Sequence, residues 1–205
     1  MHIPVMYLDT ETTSVWHEGE IIQMAGCIEY EPDKFDYWFQ FKIKPYDFSV
    51  IKDEALKVNG CTLEEISTYD DGEKVMKEFL QIISPFSNNG YFNRLCVAGY
   101  NVNFDVHKLL NFFARVYNPD HSLTGDYTVY YKEYYKHFQN RNIDVMQLVP
   151  LIERKIKNVY KSHKLEDMYK CFFPDDNSLQ AHNALCDVQM TIKLHKVMLK
   201  MLNLN

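Results

Sequence analysis

The sequence predicts an α/β domain: a mixed five-stranded sheet flanked by helices. Two observations point there. Three strand-like runs rich in β-branched and aromatic residues follow one another directly, and the rest of the chain then alternates helix and strand patterns. Strands first, then β-α-β-α, is the signature of such a sheet. With 205 residues, 46% of them hydrophobic, the chain can build one well-cored domain but is short for two.

The first three strands are VMYLDTE (5–11), EIIQMAGCIEY (20–30) and FDYWFQFKIKP (35–45), a sequence of runs that reads as an antiparallel meander. A short helical piece near 51–58 and a longer helix over 71–86 (DGEKVMKEFLQIISPF) follow. RLCVAGYN (94–101) reads as a fourth strand and leads into a helix over 103–117. After an irregular Tyr-rich insertion at about 118–142, RNIDVMQLVPLIE gives a fifth short strand and another helix. A long helix over about 183–202 closes the chain. Because no repeat, low-complexity segment or linker interrupts this order, residues 1–205 are expected to form a single domain.

Charge and cysteine usage narrow the class. A net charge of −6 argues against a protein that wraps duplex nucleic acid in positive charge, but not against one that takes a strand end through metals. The five cysteines (Cys27, Cys61, Cys96, Cys171, Cys186) are scattered and read as reduced thiols. No basic leader precedes an apolar stretch, and no apolar run approaches the length of about 18 residues that a membrane span needs. The expectation is a soluble, cytoplasmic protein.

Four carboxylates occupy unusual places. Asp9 and Glu11 are two apart on the first strand, so they point the same way and repel unless a cation sits between them. Asp105 shares a helical stripe with Leu109, Phe112 and Val116. Asp187 shares one with Thr191, Leu194 and Met198. An acid on a buried stripe is rare unless it is paired or binds metal. Taken singly, Asp105 and Asp187 also read as first-turn acids that favour the helix dipole.

As an ordered set, the motifs resemble those of the DEDD superfamily of 3′–5′ exonucleases, histidine subtype. That group includes bacterial proofreading subunits, oligoribonuclease and ribonuclease T. LDTETT matches D-x-E-T-T, GYNVNFD matches G-H-N-x-x-F-D, and HNALCD matches H-x-A-x-x-D with His182 and Asp187. VNGCTLEEI (58–66) and NIDVMQL resemble two further family segments, so the likeness spans nearly the whole chain. Tyr100 and Asn59 stand where His is common, and Ser14 stands where Gly is usual. None of these departures removes a metal ligand.

The resemblance implies a ribonuclease H-like fold and hydrolysis of phosphodiester bonds at single-stranded 3′ ends, releasing nucleoside 5′-monophosphates. DNA is slightly favoured over RNA by family frequency. Two Mg²⁺ or Mn²⁺ ions would be held by Asp9, Glu11, Asp105 and Asp187. Asp9 would bridge both ions, and Asp105 would hold the second through water. His182 would be the general base. Thr12, Val15 and Phe104 would border the terminal nucleotide, and the motif residues Asn59 and Asn101 join the substrate-binding set. Trp16 reads either as a base-stacking residue or as packing at a strand end.

Two regions lie outside that resemblance. Tyr127, Tyr130, Tyr131, Tyr134 and Tyr135 form a helical stripe beside Lys132, Lys136 and His137. The stripe reads as core packing, as a platform for single strands, or as a face for a protein partner. The basic run ERKIKNVYKSHK (153–164) reads as a solvated helix face or as a backbone contact upstream of the cleaved end. A polymerase is an expected partner if the chain proofreads. The alternatives are an exoribonuclease and a non-catalytic module that binds nucleic acid or a polymerase. The filled acid positions argue against the last, since a retired site has no reason to retain mutually repelling carboxylates.

Overall fold

The computed structural model describes residues 3–87, 94–118, 120–123, 127–155, 162–179 and 181–204. Strands β1 (Val5–Thr12), β2 (Ile21–Glu31) and β3 (Lys34–Lys42) form the expected meander. Helices α1 (Asp53–Asn59), α2 (Leu63–Ser67) and α3 (Gly72–Ile83) follow. Then come β4 (Leu95–Gly99), α4 (Val102–Tyr117), α5 (Tyr127–His137) and β5 (Phe138–Asp144). Helices α6 (Val149–Glu153), α7 (Leu165–Phe172) and α8 (Ala184–Leu202) complete the order.

The sheet runs β3-β2-β1-β4-β5. Pairing is antiparallel within the meander and parallel where β4 and β5 extend it. The mixed α/β sheet is therefore as the sequence predicts, with β1 at its centre.

Side-chain alternation along β1 decides what each face receives. Met6 and Leu8 enter a core with Phe79 of α3, Leu109 and Phe113 of α4, and Tyr134 of α5. Tyr7 points the opposite way, to Ala25, Ala98 and the α8 residues Ala184, Val188 and Ile192. A third cluster joins α6, α7 and the far half of α8 through Val149, Ile152, Met168, Leu194 and Met198.

The Tyr-rich stretch departs from an irregular insertion. It supplies α5, which runs directly into β5, and Tyr130 and Tyr134 are buried in the main core. For those two residues packing is the correct reading, and a strand-stacking platform is excluded because they have no open face. Tyr131 stays 38% exposed and Tyr135 is partly buried. The basic run 153–164 falls partly outside the described residues; within them, Lys155 donates to the Met201 carbonyl of α8 at 2.7 Å.

The short helices α2 and α7 have no counterpart in the sequence expectation. All five cysteines are free. Among the described residues, no helix is long and apolar enough to cross a membrane.

Candidate active site

At the end of β1 the alternation that built the core delivers polar groups to both faces. Asp9 and Glu11 continue the row of Tyr7 toward α8, whose first turn presents Asp187. Oxygens of these three carboxylates lie within 4.8 Å of one another. Thr10 faces the other way, toward α4. Its main-chain N–H and its hydroxyl both donate to Asp105 Oδ1, at 2.9 and 2.8 Å.

A residue with left-handed backbone stands at the entry to α4 and to α8, as the N-cap of the first and one residue before the N-cap of the second. Asn101 (φ 61°) precedes α4, with its N–H donating to Asp144 Oδ1 at 2.9 Å. His182 (φ 64°) precedes α8, with its N–H donating to Asp187 Oδ2 at 3.2 Å. Asn183 caps α8 by accepting from the Leu185 and Cys186 N–H groups at 3.2 and 3.3 Å. The His182 side chain is exposed, and its imidazole is close enough to Glu11 to lower that acid's proton affinity.

Crowded, partly dehydrated acids hold their protons. Burial raises Asp9 well above the ordinary carboxylate range, and Asp105, Asp187 and Glu11 add repulsion. Burial lifts Asp105 to about 7 against the pull of the Thr10 donors. Asp187 also reaches about 7, through burial and then the charge of Glu11. Glu11 is raised by burial.

These residues suit a hard divalent cation. Every donor is a carboxylate oxygen, the set expected for Mg²⁺ or Mn²⁺ and not for a thiolate-seeking metal. In addition, Asp187 Oδ1 is buried and has no hydrogen-bond partner among the described residues, a costly state for a free acid and an ordinary one for a ligand.

Beside the acids opens a cavity of about 430 Å³. Thr12, Val15, Trp16, Asn59 and Phe104, all singled out from the sequence, line it. Val15 and Trp16 are 75% and 66% exposed, which leaves their apolar surface free to meet a ligand. Thr12 and Asn59 are already engaged: Thr12 Oγ1 donates to the Ser14 carbonyl at 3.0 Å, and Asn59 Nδ2 donates to the Thr12 carbonyl at 3.1 Å. Asn101 is not brought to this cavity; its place is the turn that starts α4.

Sequence reasoning missed Lys52, Ala55 and Val58 on the α1 side of the cavity, and it missed Thr10. It also missed Lys108, a buried lysine three residues after Asp105. A readable signal for Lys108 was present, because it stands four before the core residue Phe112 on the inward side of α4.

The RNase_T family model, described as Exonuclease, matches residues 6–195. Several solved structures share the fold. Escherichia coli Exonuclease I in complex with a dA16 oligonucleotide is 20% identical with a TM-score of 0.68, the match covering 98% of this chain and 41% of that one. The zinc-bound form of the E. coli Exonuclease I–single-stranded DNA complex is 20% identical with a TM-score of 0.71, over 97% of this chain and 41% of that one. Cell-death related nuclease 4 is 16% identical with a TM-score of 0.68, over 97% and 64%. The chain thus spans about two fifths of the Exonuclease I chains it matches. No curated protein matches it by sequence.

Proposed function

The chain belongs to the RNase_T exonuclease family, and from that premise we propose that it is a metal-dependent 3′–5′ exonuclease acting on single-stranded ends, with DNA slightly favoured over RNA. The observation that carries this reading is the meeting of Asp9, Glu11 and Asp187 at one point, with Asp105 on the adjoining helix and an apolar-walled cavity alongside. The oligonucleotide-bound Exonuclease I structures support the choice of a single strand.

Two divalent ions, when bound, would activate water and neutralise the charge that develops on the phosphate. Asp9, Glu11 and Asp187 would hold them, with Asp105 as a further carboxylate held in place by Thr10. Binding would displace the protons these acids retain, so metal affinity would rise with pH. His182, exposed at the loop entering α8, would accept the proton of the attacking water. Its main-chain N–H donates to Asp187 Oδ2, which supports the reading by keeping the residue beside the acids. Val15, Trp16 and Phe104 would receive the terminal base, which leaves as a nucleoside 5′-monophosphate.

The test is degradation of 5′-labelled single-stranded DNA and RNA with Mg²⁺, with Mn²⁺ or with EDTA. A ladder shortening from the 3′ end, abolished by EDTA, is the expected outcome. Strand binding without shortening would instead assign a binding module on the same fold.

A further inference from the structure

Lys108 is 97% removed from solvent, an uncommon state for a lysine. Its ammonium donates to the carbonyls of Ser14 and Gly19, each at 3.1 Å, and to that of Trp16. All three acceptors belong to the one loop that leaves β1. Burial lowers its proton affinity, to about 8, and the charge of Glu18 works the other way. The same Nζ lies 5.3 Å from the ring centroid of Phe104. One turn further along α4, Asn111 Nδ2 donates to the His17 carbonyl at 2.7 Å.

The loop is closed tightly around this group. A Cβ on Gly19 would fall 2.1 Å from the Ser14 oxygen and 2.9 Å from Lys108 Nζ, so only glycine fits. Pinning the loop by its carbonyls leaves the Val15 and Trp16 side chains uncommitted, which accounts for two exposed apolar residues side by side.

We propose that Lys108 is a positioning residue for the terminal-nucleotide cavity: its ammonium gathers the loop carbonyls and so holds Val15 and Trp16 at a fixed spacing from Phe104 and Asp105. This rests on the reading of that cavity as the site of the terminal base. One helix then carries an acid of the cluster, a wall of the cavity and the clamp on the facing wall. Substrate grip is thereby tied through a single helix to Asp105, one of the four acids.

Because the chain has two tryptophans, Trp16 and Trp38, a Trp38→Phe background leaves Trp16 as the reporter of loop order. Lys108→Met in that background should increase acrylamide quenching of Trp16. It should also raise KM for a 5′-labelled oligonucleotide about tenfold, with kcat changed less than about threefold. Met198→Ala, a core truncation in the cluster at the far half of α8, serves as a control of lowered stability and should leave KM and quenching unmoved. If Lys108→Met does not fold, Asn111→Ala removes one tie and should shift both readouts in the same direction by less.

Parental quenching and KM in folded Lys108 and Asn111 variants would overturn the proposal. A parent protein that shortens no strand would overturn the exonuclease reading instead. The quenching arm would then decide the clamp alone, with unchanged quenching counting against it.

Discussion

Thr10 and Asp105, 95 positions apart in the chain, are joined by two hydrogen bonds to one carboxylate oxygen. The contact docks the first turn of α4 onto the back of the strand whose front carries Asp9 and Glu11. Thr10→Val keeps the shape and removes the hydroxyl donor. It should destabilise the metal-free protein by about 1 kcal/mol at pH 7 and weaken Mn²⁺ binding. Urea denaturation and calorimetric titration read the two effects. An unchanged Mn²⁺ affinity would show that this contact serves only the fold.

Asp9→Asn should separate activity from stability. Cleavage should be lost, because Asp9 is one of the three carboxylates that meet where a metal ion would be held. The melting temperature in EDTA should rise, because a neutral amide escapes the burial penalty, and then the repulsion from Asp105, Asp187 and Glu11, that oppose ionisation of Asp9. A variant that melts lower in EDTA would mean that Asp9 is held by contacts other than those described.

The pH dependence of stability should change shape with metal. Asp105 and Asp187 titrate near 7 in the folded chain and near 4 when unfolded. Between those values the folded state keeps protons that the unfolded state has released. Their contribution is therefore complete below about pH 4 and is lost as the pH rises through about 7. In EDTA, stability should fall over that window; with saturating Mn²⁺ the fall should flatten or reverse. Denaturation curves at half-unit pH steps, with and without Mn²⁺, measure it, and matching profiles would argue against metal at these acids.

Tyr134 offers a stabilising change. Its ring is 1% exposed, and its hydroxyl is buried without a hydrogen-bond partner among the described residues. Tyr134→Phe should gain about 1 kcal/mol, whereas Tyr134→Leu should lose about 2–4 kcal/mol. Single-strand affinity per folded molecule should stay at the parental value in both. A loss of affinity in the Phe variant would reopen the nucleic-acid role of the stripe.

His182 can be tested for chemistry and backbone separately, because φ at this position is 64°. His182→Gly removes the imidazole and relieves the left-handed strain, so the protein should not lose stability. Its rate should still fall about 10²–10⁴-fold, with Mn²⁺ binding retained and part of the activity recovered at high pH. Parental rates from pH 6 to 9 would make His182 structural and send the search for the base elsewhere.

The acids were legible because two simple periods place them. A spacing of two on a strand puts Asp9 and Glu11 on one face, and a spacing of about 3.6 puts Asp105 and Asp187 among core residues. The tyrosine stripe could not be settled that way, since a buried helix face and an exposed aromatic platform share the same spacing. Lys108 went unread because a lysine is ordinarily taken as solvated even on the inward stripe of a helix, and the loop carbonyls that satisfy its ammonium are far away in sequence. The helix α2 did carry a local signal. Thr62 and Glu65 form a reciprocal capping box, with bonds of 3.1 and 2.8 Å, yet a helix of five residues is too short for periodicity to show.

Strand β1 lies at the centre of the sheet, while the helix that completes the acid cluster is the final element of the order. During synthesis from the N-terminus, the β1–β2–β3 meander can pair early, using neighbours that emerge within a few dozen residues of one another. Asp9 and Glu11 gain their third carboxylate only when α8 packs across that sheet face. The three-carboxylate cluster therefore depends on a contact between the first strand and the last helix described, and cannot exist until α8 is docked on β1.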